Sequence, residues 1–143
     1  MALQLRKPDR PYYEAKAKPR KNGGYLKWLH TLPCCVSGKY GVQAAHVSYP
    51  SPAHGHWGRA KGTKAPDLFA LPLCPDLHDL SHSGKAGSEE DFWASTGIVP
   101  HQLCLVLWAI YSAYDEAEAT ARATARINQG LAAVGRLRER ELS

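Results

Sequence analysis

Residues 62–82 read GTKAPDLFALPLCPDLHDLSH, and the rest of the chain is organised around them. The first half is a short apolar run headed by Asp67, which predicts a strand over residues 67–73. The second half opens Cys74-Pro75-Asp76, with a proline suited to a first helical turn and an early acid that suits the helix dipole. It predicts a helix over residues 74–82. On that helix His78 and His82 stand four apart, so their imidazoles share one face. Two neutral imidazoles side by side are half of a site for a divalent ion such as Zn²⁺.

Before this stretch, residues 48–66 are rich in glycine and proline and carry Arg59, Lys61 and Lys64 with His54 and His56. A structureless connection of that length suggests function. The loop follows VQAAHV, residues 42–47, which predicts a first strand with His46 near its end. A histidine behind two alanines in an apolar strand is unusual unless it has a task. The unit is therefore strand, loop, strand, helix, and Asp67 could add a carboxylate to the same site.

After it, Ser88 followed by acids signals a short helix over residues 88–95. From Pro100, Leu103, Leu107, Ile110 and Tyr114 recur at helical spacing. Alanine- and arginine-rich sequence continues to Asn128, and Leu131, Val134 and Leu137 predict a last helix after Gly130. Arg122, Arg126, Arg136 and Arg140 are read as a solvated face that pairs with Glu116 and Glu118 or as an oligomer contact, ahead of a DNA-facing stripe. Phe92, Trp93, Cys104 and Trp108 are read as core.

The chain has 143 residues, 44% hydrophobic and 22% charged, which fits a folded α+β domain and not a disordered chain. No apolar run approaches the roughly 18–20 residues of a membrane span. The first residues lack the apolar centre of a secretory signal, so a cytoplasmic location with reduced thiols is expected. The four cysteines are then metal ligands or buried thiols before they are disulfides. The net charge of +5 is uneven: residues 1–30 carry eight basic against two acidic side chains, and residues 75–100 carry one against five. A basic N-terminal half is an electrostatic footprint for a polyanion, and nucleic acid is the commonest one. Three regions follow: a basic arm over 1–24 with Pro8, Pro11 and Pro19, a central domain over 25–112, and a helical extension over 113–143.

The ordered pieces LPCCVSG, AHV, GTKAPD, LPLC followed by His78 and His82, and the later FW and GI pairs resemble the ββα-metal (HNH) endonucleases. They look most like the phage-type members that include the RecA-dependent recombination-enhancement nucleases. The resemblance spans roughly residues 32–108. It implies a small ββα core and hydrolysis of DNA phosphodiester bonds with one divalent ion, Mg²⁺, Mn²⁺ or Zn²⁺. His46 matches the general base of such enzymes, and His78 and His82 match the helical metal ligands. Asp67 would be a third ligand or an orienting carboxylate. Lys64, supported by Arg59 and Lys61, would contact phosphates. A recombinase filament is an implied partner.

The chain departs from the family pattern in three places. Ala45 stands where many members carry a ligand just before the base. No asparagine marks the second strand. Many relatives hold the unit with a four-cysteine zinc knuckle, but here Ser37 and Leu77 replace the second thiol of each pair. Cys34, Cys35 and Cys74 remain as an atypical structural Zn²⁺ site or as buried thiols. A non-catalytic, zinc-stabilised nucleic-acid-binding module is the alternative reading, with the histidines holding a structural ion.

Overall fold

The computed structural model describes residues 20–58 and 65–136. Most of the basic arm, and Arg59, Lys61 and Lys64, lie outside the described residues.

Strand β1 (Gln43–His46) pairs antiparallel with β2 (Ala70–Leu73), with Gln43 opposite Leu73 and His46 opposite Ala70. A proline sits in β2 without disrupting the pair. The carbonyl of Pro72 accepts from Cys35 N–H at 3.0 Å on the side away from β1. Its missing N–H therefore falls on the open edge, where a strand tolerates proline. All four residues of β2 are buried.

The strand expected over residues 67–73 is shorter than the apolar run suggests. Pro66 starts a 3₁₀ turn, Asp67–Phe69, closed by Phe69 N–H to the Pro66 carbonyl at 2.9 Å. Only then does the chain extend. The proline supplies the φ and the carbonyl that a tight turn needs, and this local bond wins over further pairing.

Helix α1 (Gly23–Leu29) precedes the sheet, and α2 (Pro75–Ser83) and α3 (Glu89–Thr96) follow it. Pro75 opens α2, and Gly84, at φ +83°, closes it. A capping box starts α3: Asp91 N–H donates to Ser88 Oγ at 3.1 Å, and Ser88 N–H donates to Asp91 Oδ2 at 3.0 Å. Two longer helices, α4 (Pro100–Ala113) and α5 (Glu116–Ala133), complete the described fold. An α+β domain is thus what the sequence forms.

Gly130 does not separate the helices: α5 runs through it to Ala133, so Leu131 belongs to α5, and Leu137 of the expected last helix lies outside the described residues. Glycine inside a helix costs about 1 kcal/mol relative to alanine. Burial of Ile127 and Leu131 on either side of Gly130 offsets that cost. Ala119, Ala123, Ile127 and Leu131 place one stripe of α5 in the same core as Leu71, Leu73, Trp93 and Leu107. The helix set apart by sequence as an extension is therefore part of the packing. Trp28 Nε1–H donates to Thr120 Oγ1 at 3.0 Å and ties α1 to it.

Helix α1 also carries Tyr25, whose ring lies 5.0 Å from Trp108 and 5.1 Å from Tyr111 of α4. Gly24 permits this approach, because a Cβ there would meet Tyr111 Oη at 3.0 Å. The boundary expected at residue 24 thus falls inside a helix packed on the core. On the outer face of α5, Arg122 bonds Glu118 at 2.7 Å and lies 4.2 Å from the Tyr114 ring centroid. Among the described residues no single helix is long and apolar enough to cross a membrane.

Candidate active site

β1 ends at His46 and the 3₁₀ turn begins at Asp67, and their side chains meet. His46 Nε2 lies 2.8 Å from Asp67 Oδ1, with the two side chains 19% and 13% exposed. The turn makes this possible. Had residues 67–69 continued the strand, the register would put Asp67 opposite Tyr49, beyond the end of β1. An ionised carboxylate only accepts, so Nε2 of His46 carries the hydrogen, and in the neutral imidazole Nδ1 is then the nitrogen with the lone pair.

Asp67 is itself held. Its Oδ2 accepts from Asn22 N–H at 2.7 Å, and its own N–H donates to the Arg20 carbonyl at 2.9 Å. Asn22 is also the N-cap of α1, its Oδ1 accepting from Tyr25 N–H at 3.0 Å. The segment just before α1 therefore fixes the carboxylate that fixes His46.

His78 and His82 project from α2 with ring centroids 5.3 Å apart. His78 Nδ1 lies 2.8 Å from Gln43 Oε1, so it donates to that amide oxygen and leaves the Nε2 lone pair free. Burial lowers the His78 pKa, and the neighbouring His82 and His46 lower it further, while Asp79 opposes them. A neutral imidazole is the form a cation needs. Two adjacent imidazoles, one oriented by a strand glutamine, could supply two nitrogen donors to a divalent ion. Asp67 does not join them as a third ligand in this arrangement, because its oxygens face His46 and Asn22. Among the described residues no group of three or more His, Cys, Asp or Glu side chains is placed to share one ion.

The cysteines separate in the same way. Cys34 Sγ accepts from Val36 N–H at 3.4 Å and Ser37 N–H at 3.3 Å, and Ser37 Oγ lies 3.9 Å from Cys74 Sγ. Cys34, Ser37 and Cys74 thus gather where the loop before β1 meets the start of α2. Cys35 turns into the core, 2% exposed, and burial pushes its thiol pKa well up, as it does for Cys104. All four thiols are free.

Glu89 is a site residue the sequence reading missed. It is the first residue of α3, and both its oxygens accept from Ser48 N–H, at 3.1 and 3.0 Å. Burial raises its pKa, and the Ser48 N–H, His82 and His56 pull it back down. It therefore clamps the backbone two residues beyond His46, within electrostatic reach of His82. Asn22 and Gln43 were missed as well. Locally they look like a cap and an exposed strand residue, and their partners are 45 and 35 positions away.

The remaining central histidines form a second group. His56 is 1% exposed: Nε2–H donates to the Val47 carbonyl at 2.7 Å and Nδ1 accepts from Gly58 N–H at 2.9 Å. Both nitrogens are spent on backbone, so His56 is a structural imidazole. His54 Nδ1 lies 2.7 Å from Ser51 Oγ, and its ring stacks at 5.9 Å on His101. His101, buried, donates from Nε2 to the Tyr49 carbonyl at 2.8 Å. His30 is exposed, with Nδ1 2.9 Å from the Leu26 carbonyl.

A short antiparallel pair, one helix and a histidine–carboxylate couple between them define a small α+β protein with a candidate catalytic centre. Residues 6–111 match the family described as "Protein of unknown function (DUF968)", and the chain belongs to that family. It is also similar to the uncharacterized protein YdfU of Escherichia coli (strain K12), 31% identical over 75 residues, covering 52% of this chain and 20% of the relative. The chain thus spans about a fifth of the length of the curated relative it matches. No solved structure matches it.

Proposed function

We propose that the chain is a metal-dependent DNA endonuclease with an HNH-type ββα centre. The observation that carries this reading is the His46–Asp67 couple at 2.8 Å, set at the junction of two strands whose following helix presents His78 and His82. His46 Nδ1 takes the proton from a water molecule as its oxygen bonds to a backbone phosphorus. The phosphodiester P–O bond on the opposite side then breaks, and the departing oxygen takes up a proton from solvent. Asp67 holds the imidazole in the tautomer that leaves Nδ1 basic, and it stabilises the imidazolium formed in the step. Glu89 keeps the chain after His46 in place. His78 and His82 would hold a divalent ion, Mg²⁺, Mn²⁺ or Zn²⁺, which would supply polarisation of the phosphate and charge neutralisation at the leaving oxygen. The basic sequence of the N-terminal half and of the loop suits the DNA backbone. A setting in phage or prophage recombination, with a recombinase filament as partner, rests on the family resemblance.

The test is cleavage of plasmid and oligonucleotide DNA across a series of divalent ions. Replacing a general base costs about 10²–10⁴-fold in rate, so His46→Ala should reduce nicking by that factor while ion binding persists. Unchanged nicking by a contaminant-free His46→Ala preparation rejects the reading. The competing view, in which the histidines hold a structural ion in a non-catalytic module, predicts that His78→Ala loses folding along with function. A His78→Ala protein of full stability that no longer cleaves rejects that view.

A further inference from the structure

We infer that the cleft between the start of α4 and the last turns of α5 is a binding site for a small organic carboxylate with a compact apolar body. The cleft has a volume of about 400 Å³. That lies within the roughly 300–1,000 Å³ of small-ligand sites. Its walls include none of His46, Asp67, His78 and His82, so the inference goes beyond the nuclease reading and does not rest on it.

The cleft follows from the residues that face it. Gly130 and Ala133 of α5 line it and fill little of it. Its floor is apolar, formed by the buried side chains of Cys35, Leu103 and Ile127. At one end Gly97, at φ +78°, lets α5 come close, because a Cβ there would meet Val134 Cγ1 at 3.0 Å. At the rim Val99 is 54% exposed, although it adjoins this apolar floor. A ligand with an apolar body covers that rim and takes its surface out of water.

Arg126 selects the charge of the occupant. It is half-buried in the wall of the cleft, and its Nη1 lies 3.4 Å from the place of a Cβ on Gly130. Arg122, one turn earlier, bonds Glu118 at 2.7 Å. Arg126 has no such neighbour, since the residues three and four positions away on α5 are Arg122, Ala123, Gln129 and Gly130. No acidic side chain lines the cleft, α4 contains none, and no ion pair holds Arg126 among the described residues. A half-buried cation at the edge of an apolar cavity is stabilised by one anion. The guanidinium presents parallel donors that match the two oxygens of a carboxylate, and the amides of Gln102 and Gln129 line the same cleft. One cation against apolar walls favours a monoanion with an apolar body over a multiply charged phosphate.

The experiment titrates the full chain with octanoate, 1-octanol, acetate and inorganic phosphate by calorimetry, with octanoate kept below its micellar range. Octanoate should bind saturably, one per chain, and equimolar acetate or phosphate should not displace it. Arg126→Gln removes the charge and keeps the apolar walls. It should weaken octanoate binding about tenfold or more and leave 1-octanol binding unchanged. Ala133→Trp fills the cleft from an exposed position and should abolish binding of both, with far-ultraviolet dichroism unchanged. Val99→Asp adds an acid to the rim of the same cleft and should abolish octanoate binding while sparing 1-octanol. Absence of saturable octanoate binding overturns the proposal, as does equal octanoate affinity in wild type and Arg126→Gln. Displacement of octanoate by equimolar acetate or phosphate overturns it in favour of a simple anion site. A wild-type dimer in sedimentation equilibrium that Ala133→Trp disperses overturns it in favour of a second copy of the chain.

Discussion

The backbone N–H of Asn22 donates to Asp67 Oδ2 at 2.7 Å across 45 residues of sequence, while Asp67 Oδ1 holds His46 at 2.8 Å. One carboxylate thus joins the start of α1 to the end of β1. The segment before α1 becomes part of the site by this bond.

Asp67→Asn keeps the size of the side chain and loses the obligatory acceptor that selects the His46 tautomer. Single-turnover cleavage should fall about 10²-fold or more, with little change in the substrate concentration for half-maximal rate. Asp67→Ala should also leave Asn22 N–H unpaired and cost about 1–3 kcal/mol of stability in urea denaturation. A stable Asp67→Asn variant with unchanged cleavage would remove Asp67 from the site.

Glu89→Ala leaves the Ser48 N–H without its acceptor, and a loss of about 1–2 kcal/mol is expected. Its oxygens do not touch His46, so activity should drop through misplacement of the strand end. Glu89→Gln retains one acceptor oxygen and should recover most of both losses. Urea titration and cleavage rate on the three proteins check this, and equal behaviour of the alanine and glutamine variants would contradict it.

Burial lowers the His101 pKa; the Tyr49 carbonyl raises it, His56 and His54 lower it, and Glu90 raises it. The unfolded imidazole binds a proton more readily than the folded one, so acid favours unfolding. His101 therefore contributes no penalty well above its ordinary pKa of about 6.5, and stability falls as pH drops through that value towards the lower folded pKa. Melting temperature should decline between about pH 7.5 and pH 5.5. In His101→Gln the decline should be shallower, and an identical slope would show that other histidines carry it.

Ile127 is 2% exposed in a stripe of α5 that packs on the core. Ile127→Ala should cost about 2–4 kcal/mol, a large part of a small domain's stability. If the melting temperature hardly moves, α5 is an appendage and not a wall of the core.

How much was legible depends on the range of the interaction concerned. Helix starts were readable because caps are local: Pro75, Ser88 and Pro100 act on the turn that follows them. The pairing of His78 with His82 was equally local, a consequence of 3.6 residues per turn. The start of the second strand's apolar run misled, since a run of leucines and phenylalanine does not reveal that Pro66 will set a turn first. Gly130 misled in the opposite sense. A breaker by propensity was overridden by burial on both sides, which propensity does not include.

By itself, the sequence determined the α+β composition, the order of strand, loop, strand and helix, and the shared helix face of His78 and His82. Tertiary structure alone decided the partners: Asn22 and His46 on Asp67, Gln43 on His78, Ser48 on Glu89, and the burial of His56 and His101. The reason is physical. Caps, turns and helical spacing are set by neighbours within one turn of chain. A hydrogen bond across 35 or 45 residues exists only after the apolar core has brought both ends together.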